Sequence, residues 1–276
     1  MKDIIFYDVP GKTEEGKAWS PKTWITRYVH RPTYARKTSM PNFTFGSASF
    51  ALNLKGLKYR TEWVEYPDIE ALCKRLGAPA SDVKADGITP HYTVPIIHDP
   101  NTGKFISDSA TISEYLDTTY PTAGVRLFPD GSRVLQAAFS SAVASTCQAP
   151  LFSVVVLAVC KHLNPRSAEY FRRTREQKLG SKLEDIAPEG TGKGETKWKE
   201  LEAAMTKIAA WFELGGGQPF AGGNVPVYAD TQLAARLMWA RTVLGRDSKQ
   251  WARIKAMNGG RWEKFLQDLE QWSQVV

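Results

Sequence analysis

Three short clusters hold the side chains whose types and spacing could do chemistry: Ser20-Pro21, Val94-Pro95 and Ser107-Asp108-Ser109. Pro21 suits the first position of a helix, where a missing N–H costs nothing, so Ser20 is expected at the N-cap. A hydroxyl there either caps its own helix or points outward at a ligand. No histidine neighbours Ser20, so nothing supports the nucleophile–base pair of a serine hydrolase. Val94-Pro95 stands between a polar loop and the apolar pair Ile96-Ile97. A proline cannot donate to a ladder and belongs at a strand's start or edge. With a cis bond before Pro95, the N–H and C=O of Val94 would face outward, free to pair with another backbone. Ser107-Asp108-Ser109 opens a helical pattern, and free N–H groups at a helix start make a site for a carboxylate. Asp108 adds a carboxylate for an ammonium group. Together they suit the head of an α-amino acid; the alternative is a plain N-cap.

The elements that must position these residues fall into two groups. Residues 4–9, 59–66, 93–98 and 104–107 read as short strands, the last two joined by the turn Asp99-Pro-Asn-Thr-Gly103. Residues 109–119 read as a helix with Ile112, Tyr115 and Leu116 on one face. Residues 1–122 therefore form an α/β unit. A Gly/Pro-containing linker follows at 123–131, and 132–276 is all-helical, with helices expected near 132–162, 166–187, 195–214, 228–245 and 248–273.

Composition narrows the function. The 276 residues are 42% apolar and 24% charged, enough to bury a core. The N-terminus has no apolar run suited to a signal peptide. No 18-residue uncharged apolar stretch is expected; the longest candidate, 149–160, is about three turns ending at Lys161 and reads as a buried core helix, so no membrane span is expected. Cys73, Cys147 and Cys160 share no disulfide or metal spacing, which favours a reducing compartment, and four scattered histidines suggest no metal. The net charge of +7 raises nucleic acid as a partner. The densest basic stretch, 161–182, has seven Lys/Arg and two Glu without interleaved aromatic platforms, so it reads as a solvated helix face. Gly11-Lys12-Thr13 lacks the earlier glycine of a phosphate loop, with Phe6 in its place, and Gly190-Thr-Gly-Lys-Gly194 has the order wrong.

In order and spacing the three clusters resemble the glutathione-binding half of the glutathione transferases. The strings WSPKTW, TEWVEYPDIE, TVP, SDS and YFRRTRE are similar to those of the fungus-specific class A, relatives of the bacterial β-etherases. The resemblance covers nearly the whole chain. It implies a thioredoxin-like N-terminal domain with an all-α C-terminal domain, and glutathione as co-substrate without a metal. Ser20 would contact the glutathione sulfur, Val94 would pair with its cysteinyl backbone beside a cis Pro95, and Asp108 and Ser109 would hold the γ-glutamyl end. It also implies a cytoplasmic homodimer acting on hydrophobic, aromatic electrophiles, with one or two of Trp198, Trp211, Trp239, Trp251, Trp262 and Trp272 lining the acceptor side. A ligand-storing protein of the same fold, or a regulatory one, is the alternative. One departure touches stability: where many transferases carry a Ser/Thr-x-x-Asp capping box, Val227 precedes Tyr228-Ala229-Asp230.

The serine chemistry can be sized. Glutathione's thiol, near pKa ~8.5, must ionise to act at neutral pH. Lowering it two units takes about 2.7 kcal/mol of preference for the thiolate. One hydrogen bond to a charged group supplies roughly 1.5–3 kcal/mol, and a helix end about 0.3–1 kcal/mol. No side-chain base is required.

One stretch fits nothing. The family resemblance places a single short helix between the active-site residue and a Lys-Gly-apolar turn, here Lys55-Gly56-Leu57, yet Gly56 lies 36 residues after Ser20. Removing the 22 residues 28–49 restores the spacing and puts Trp24, Phe50 and Leu54 on one helical face. The segment has no acidic residue and neither helical nor strand period. Tyr28-Val29 after the Arg27 codon can encode a splice donor, Pro41-Asn42 a branch point and Ser49 an acceptor in the same codon phase. We expect 28–49 to be a retained intron of 66 nucleotides, three for each of its 22 residues, the alternative being a genuine surface loop; its removal lowers the charge from +7 to +4 by deleting Arg31, Arg36 and Lys37. Sequencing the transcript decides this: most messages should lack these codons, and a message population that mostly keeps them overturns the reading.

Overall fold

The computed structural model describes residues 1–13, 17–24, 51–84 and 86–270. The 28–49 stretch, Phe50 and Trp272 lie outside the described residues.

Strand β1 (Ile4–Asp8) is buried along almost its whole length. An apolar run of this kind belongs in the middle of a sheet. After it come α1 (Pro21–Trp24), α2 (Ala51–Leu54) and β2 (Tyr59–Trp63), which pairs with β1 in parallel from Ile4↔Tyr59 to Asp8↔Trp63. Parallel neighbours need a crossover, and α1 and α2 lie on it. The expected strand 59–66 stops at Trp63, because Tyr66–Asp68 with its Pro67 forms a 3₁₀ turn. Helix α3 (Ile69–Leu76) and the hairpin β3 (Asp82–Val83) with β4 (Pro90–His91) follow, neither anticipated from periodicity. Strands β5 (Ile96–Asp99) and β6 (Lys104–Ser107) complete the sheet in the order β2-β1-β5-β6, and α4 (Ser109–Thr119) closes the unit. Strand β5 starts at Ile96 rather than 93, after the proline that cannot donate.

The second unit is helical: α5 (Arg133–His162), α6 (Pro165–Leu179), α7 (Gly192–Leu214), α8 (Tyr228–Leu244), α9 (Lys249–Ala256) and α10 (Arg261–Asp268). Helix α5 corrects the membrane reading, because residues 134–160 carry no charge and the helix is long and apolar enough to cross a membrane by length and composition. Here it packs on α7 and α8, burying Val143, Cys147, Leu151, Val155 and Val159. The helix expected over 166–187 ends at Gly180 in the left-handed conformation (φ 64°). The one expected over 248–273 breaks at Asn258-Gly259-Gly260, all at positive φ.

Asp117, near the end of α4, joins the two units. It forms a buried ion pair with Lys55 (2.9 Å) and accepts the Leu127 and Phe128 N–H groups of the linker, both at 3.0 Å. The Leu127 carbonyl accepts from Gln136 Nε2 on α5 and from the Tyr228 N–H on α8, each at 3.0 Å. At Gly124 (φ 53°) the linker passes so close to α2 that an added Cβ would stand 2.8 Å from Lys55 Cα.

The capping hydroxyl missing at Val227 is compensated. The buried Asp230 carboxylate accepts from the N–H groups of Val227 (2.9 Å) and Ala221 (2.6 Å). The Asp230 N–H donates to the Val227 carbonyl (3.0 Å), and Ala229's to Gln136 Oε1 (2.9 Å). Every N–H of this helix start has found a partner. Burial outweighs these backbone donors and pushes the Asp230 carboxyl up to about 6. Raised above its unfolded value near 3.9, it binds a proton more tightly when folded, so its contribution to stability falls as pH rises from 4 through 6. Relative to Asp230→Asn, the wild type should therefore gain roughly 2–3 kcal/mol between pH 7 and pH 4, read by denaturant unfolding. A difference that does not change with pH would refute this assignment.

Candidate functional site

Sheet register brings the three clusters to one end of the molecule. Tyr7 on β1 lies opposite Ile96 on β5, and Ile96 opposite Ser107 on β6. Asp8 lies opposite Trp63 on β2. The segment leading to Ser20, the turn at Glu65-Tyr66, the Val94-Pro95 approach and the Asp108 helix start therefore all leave or enter the sheet at this edge. The Asp108 N–H donates to the Pro95 carbonyl at 3.3 Å, fastening two of the clusters directly.

Ser20 immediately precedes α1 and is buried, with 7% of its surface exposed. Its carbonyl accepts from the Trp24 N–H (3.0 Å) and the Thr23 hydroxyl (2.8 Å). Among the described residues its own Oγ makes no hydrogen bond, so the hydroxyl is not consumed in capping.

The Val94–Pro95 peptide bond is cis. Val94 is buried, and its N–H and C=O take no part in the ladders, which begin at Ile96. This is the arrangement that an extended peptide backbone can pair with.

Asp108 sits at φ 74°, an uncommon conformation for a residue with a side chain. Its Oδ1 accepts the Ala110 (2.9 Å) and Thr111 (3.2 Å) N–H groups, so it is the N-cap of α4. Two of the N–H groups expected to face a ligand are thus already taken. The Ser109 N–H and hydroxyl and the second Asp108 oxygen remain for an amino-acid head. The Tyr228 phenol, at the start of α8, is close enough to feel the Asp108 charge: burial raises it well above the usual range and Asp108 adds to the effect.

Most of the C-terminal tryptophans were expected in the core, and the described aromatic flank of Ser20 comes from elsewhere. Trp239, Trp251 and Trp262 are buried in the helical core, and Trp211 packs edge-on against Phe139. Trp19, beside Ser20, instead meets Tyr66 (6.3 Å) and His162 (6.2 Å) edge-on, and Tyr66 stacks on Tyr170 of α6 (5.9 Å). Glu65 is held by Asn164 Nδ2 (2.7 Å) and the Ser167 hydroxyl, which also accepts the Tyr66 N–H (2.9 Å). The strings TEWVEYPDIE and YFRRTRE contained Glu65, Tyr66 and Tyr170, but nothing in either showed that they meet.

Known proteins match this architecture on both sides of the linker. The glutathione S-transferase C-terminal domain family matches residues 134–272, and the corresponding N-terminal domain family matches 48–119, beginning where the anomalous stretch ends. The chain belongs to the glutathione S-transferase family. It is similar over its full length to the crystal structure of glutathione transferase GSTFuA3 from Phanerochaete chrysosporium (42% identity, TM-score 0.87, covering 100% of this chain and 99% of that one). It is also similar to CsGST63524 of Ceriporiopsis subvermispora, solved in complex with glutathione (39% identity, TM-score 0.86, the same coverage). The glutathione S-transferase-like protein ustS of Aspergillus flavus is 29% identical over 245 residues, 80% of each chain.

The double role of Asp108 can be separated by substitution. Asp108→Ala should lower stability by about 1–2 kcal/mol through loss of the cap, and Asp108→Asn by much less. Equal losses in urea unfolding would show that the Oδ1 bonds do not hold α4.

Proposed function

We propose that this protein transfers glutathione to hydrophobic, aromatic electrophiles, with the thiolate held by the Ser20 hydroxyl. What carries the reading is the convergence at one sheet edge of an uncommitted serine hydroxyl, an unpaired Val94 backbone and the Asp108-Ser109 helix start. Glutathione bound in the Ceriporiopsis relatives, at 39% and 38% identity, supports it. Val94 pairs with the cysteinyl backbone, which sets the sulfur beside Ser20. Ser109 and Asp108 take the carboxylate and ammonium of the γ-glutamyl end.

The thiolate, once formed, attacks the electrophilic carbon. In a substitution the new C–S bond forms as the leaving group departs with its electron pair. In an addition the displaced π electrons take a proton from water. A serine cannot form a mixed disulfide, so deglutathionylation is not part of this reading. Ether cleavage, as in the β-etherases, would be one such substitution, with a phenolate leaving.

The same reading makes the protein a homodimer, its first domain set against α5 of the partner. Val134 and Leu135, 79% and 73% exposed at the start of α5, support that surface. Three free, buried cysteines support a reducing compartment, the cytosol.

The test is the ionisation of bound glutathione, followed by thiolate ultraviolet absorbance against pH. Ser20→Ala should return the thiol toward its free value and lower kcat/KM at neutral pH by roughly 10- to 100-fold, with glutathione affinity little changed. An unchanged titration in Ser20→Ala overturns the serine assignment. Tight binding of aromatic ligands without any turnover would instead indicate a storage protein.

A further inference from the structure

The basic stretch on α6 is not the uniform solvated face its composition suggests. Arg166 makes a two-pronged pair with Asp68 (2.9 and 3.0 Å). Arg172 bonds Glu176 (2.8 Å) and forks onto Glu184 (2.9 and 2.8 Å). Arg175 differs from both. Its guanidinium lies 4.8 Å above the ring of the buried Phe171, Nη1 donates only to the Thr174 hydroxyl (2.9 Å), and no carboxylate among the described residues pairs with it.

Arg175 also faces the aromatic group that begins next to Ser20. Phe171 beneath it meets Tyr66 at 6.2 Å, and Tyr66 leads through Trp19 to Ser20. Burial pushes the Tyr66 phenol up to about 12, and the Arg175 charge acts on that phenol in the opposite sense. The described acids around this group are already engaged. Glu65 is held by Asn164 and Ser167, Asp68 by Arg166, and Glu176 and Glu184 by Arg172. Asp8, which also acts on Tyr66, is fully buried and accepts the Val9 N–H at 2.6 Å. A guanidinium without a carboxylate partner among the described residues thus borders the aromatic group beside the serine, and it can only donate.

We propose that Arg175 selects the acceptor, and that the preferred acceptors are aromatic electrophiles bearing a carboxylate remote from the reacting carbon. This rests on the glutathione transfer reading above. The carboxylate docks on the Arg175 fork, in the two-pronged geometry a guanidinium favours and an ammonium cannot reproduce. The ring lies along the partly exposed Tyr66, which points the electrophilic carbon toward the sulfur held at Ser20. Arg175 touches neither the sulfur nor the reacting carbon, so it sets specificity.

Calorimetric titration with three unreactive ligands tests this: glutathione, S-benzylglutathione and S-(4-carboxybenzyl)glutathione. The wild type should bind the carboxybenzyl conjugate roughly 10- to 100-fold more tightly than the benzyl conjugate. Arg175→Gln should bring that ratio to within about threefold while leaving glutathione itself unaffected, and Arg175→Lys should fall between. Arg173→Gln, two residues away, should keep the wild-type ratio, and circular dichroism checks that each variant is folded. A wild-type ratio near one, or a ratio that Arg175→Gln does not change, overturns the proposal and leaves glutathione transfer standing. Failure of glutathione itself to bind overturns both.

Discussion

The buried pair of Lys55 and Asp117 is the interaction on which the arrangement of the two domains depends. Both side chains are almost wholly removed from water, where an unpaired charge is strongly unfavourable. Asp117 is stabilised further by two backbone N–H groups of the linker, so one carboxylate fixes the end of α2, the end of α4 and the start of the second domain. Through the Leu127 carbonyl and Gln136 the same network reaches the first turn of α8. The end of α2, the end of α4, the linker and the first turns of α5 and α8 are therefore held by a continuous chain of hydrogen bonds, and packing fills in around it.

The site follows from sheet geometry more than from any single residue. Parallel pairing of β1 with β2 and antiparallel pairing of β1, β5 and β6 leave four loop segments at one edge. Each carries a different kind of group: a hydroxyl, an unpaired backbone, a helix start and an aromatic turn. The second domain meets that edge through α6, locked by Glu65 with Asn164 and Ser167 and by Asp68 with Arg166.

Local chemistry explains which features were legible in the sequence. Proline at 95 and at 21, and an aspartate opening a helix at 108, act on their own backbone, so their positions could be read directly. The strand 4–8 was legible from its apolar run and helix 109–119 from its apolar face. Helix α3 has an apolar face too, but eight residues followed by a left-handed glycine give too short a period to detect. The break at 258–260 was hidden because Asn and Gly at positive φ interrupt the chain without interrupting the apolar pattern on either side. Trp19, Tyr66, Tyr170 and Arg175 were unreadable as a group because their meeting depends on the packing of α6 onto the turn after β2. Charge counting read Arg175 together with its paired neighbours, and only tertiary structure separates them. The glutathione contacts came from family resemblance, and the N–H groups that Asp108 caps show where that resemblance needed adjustment.

The close approach at Gly124 has a consequence for how such chains change over generations. The linker presses on the end of α2, Val125 donates to the Leu54 carbonyl at 2.6 Å, and Lys55 is paired from the other side. The last turn of α2 is thus anchored by residues that follow it in the chain. Ser20 is anchored separately, by its place after β1 and by the turn that starts α1. Two independent anchors on one crossover mean that gene rearrangements between them can alter its length while the Ser20 hydroxyl and the domain junction keep their own supports. A lineage can therefore carry length variation at this point, whereas insertions at Gly124 itself would be removed by selection.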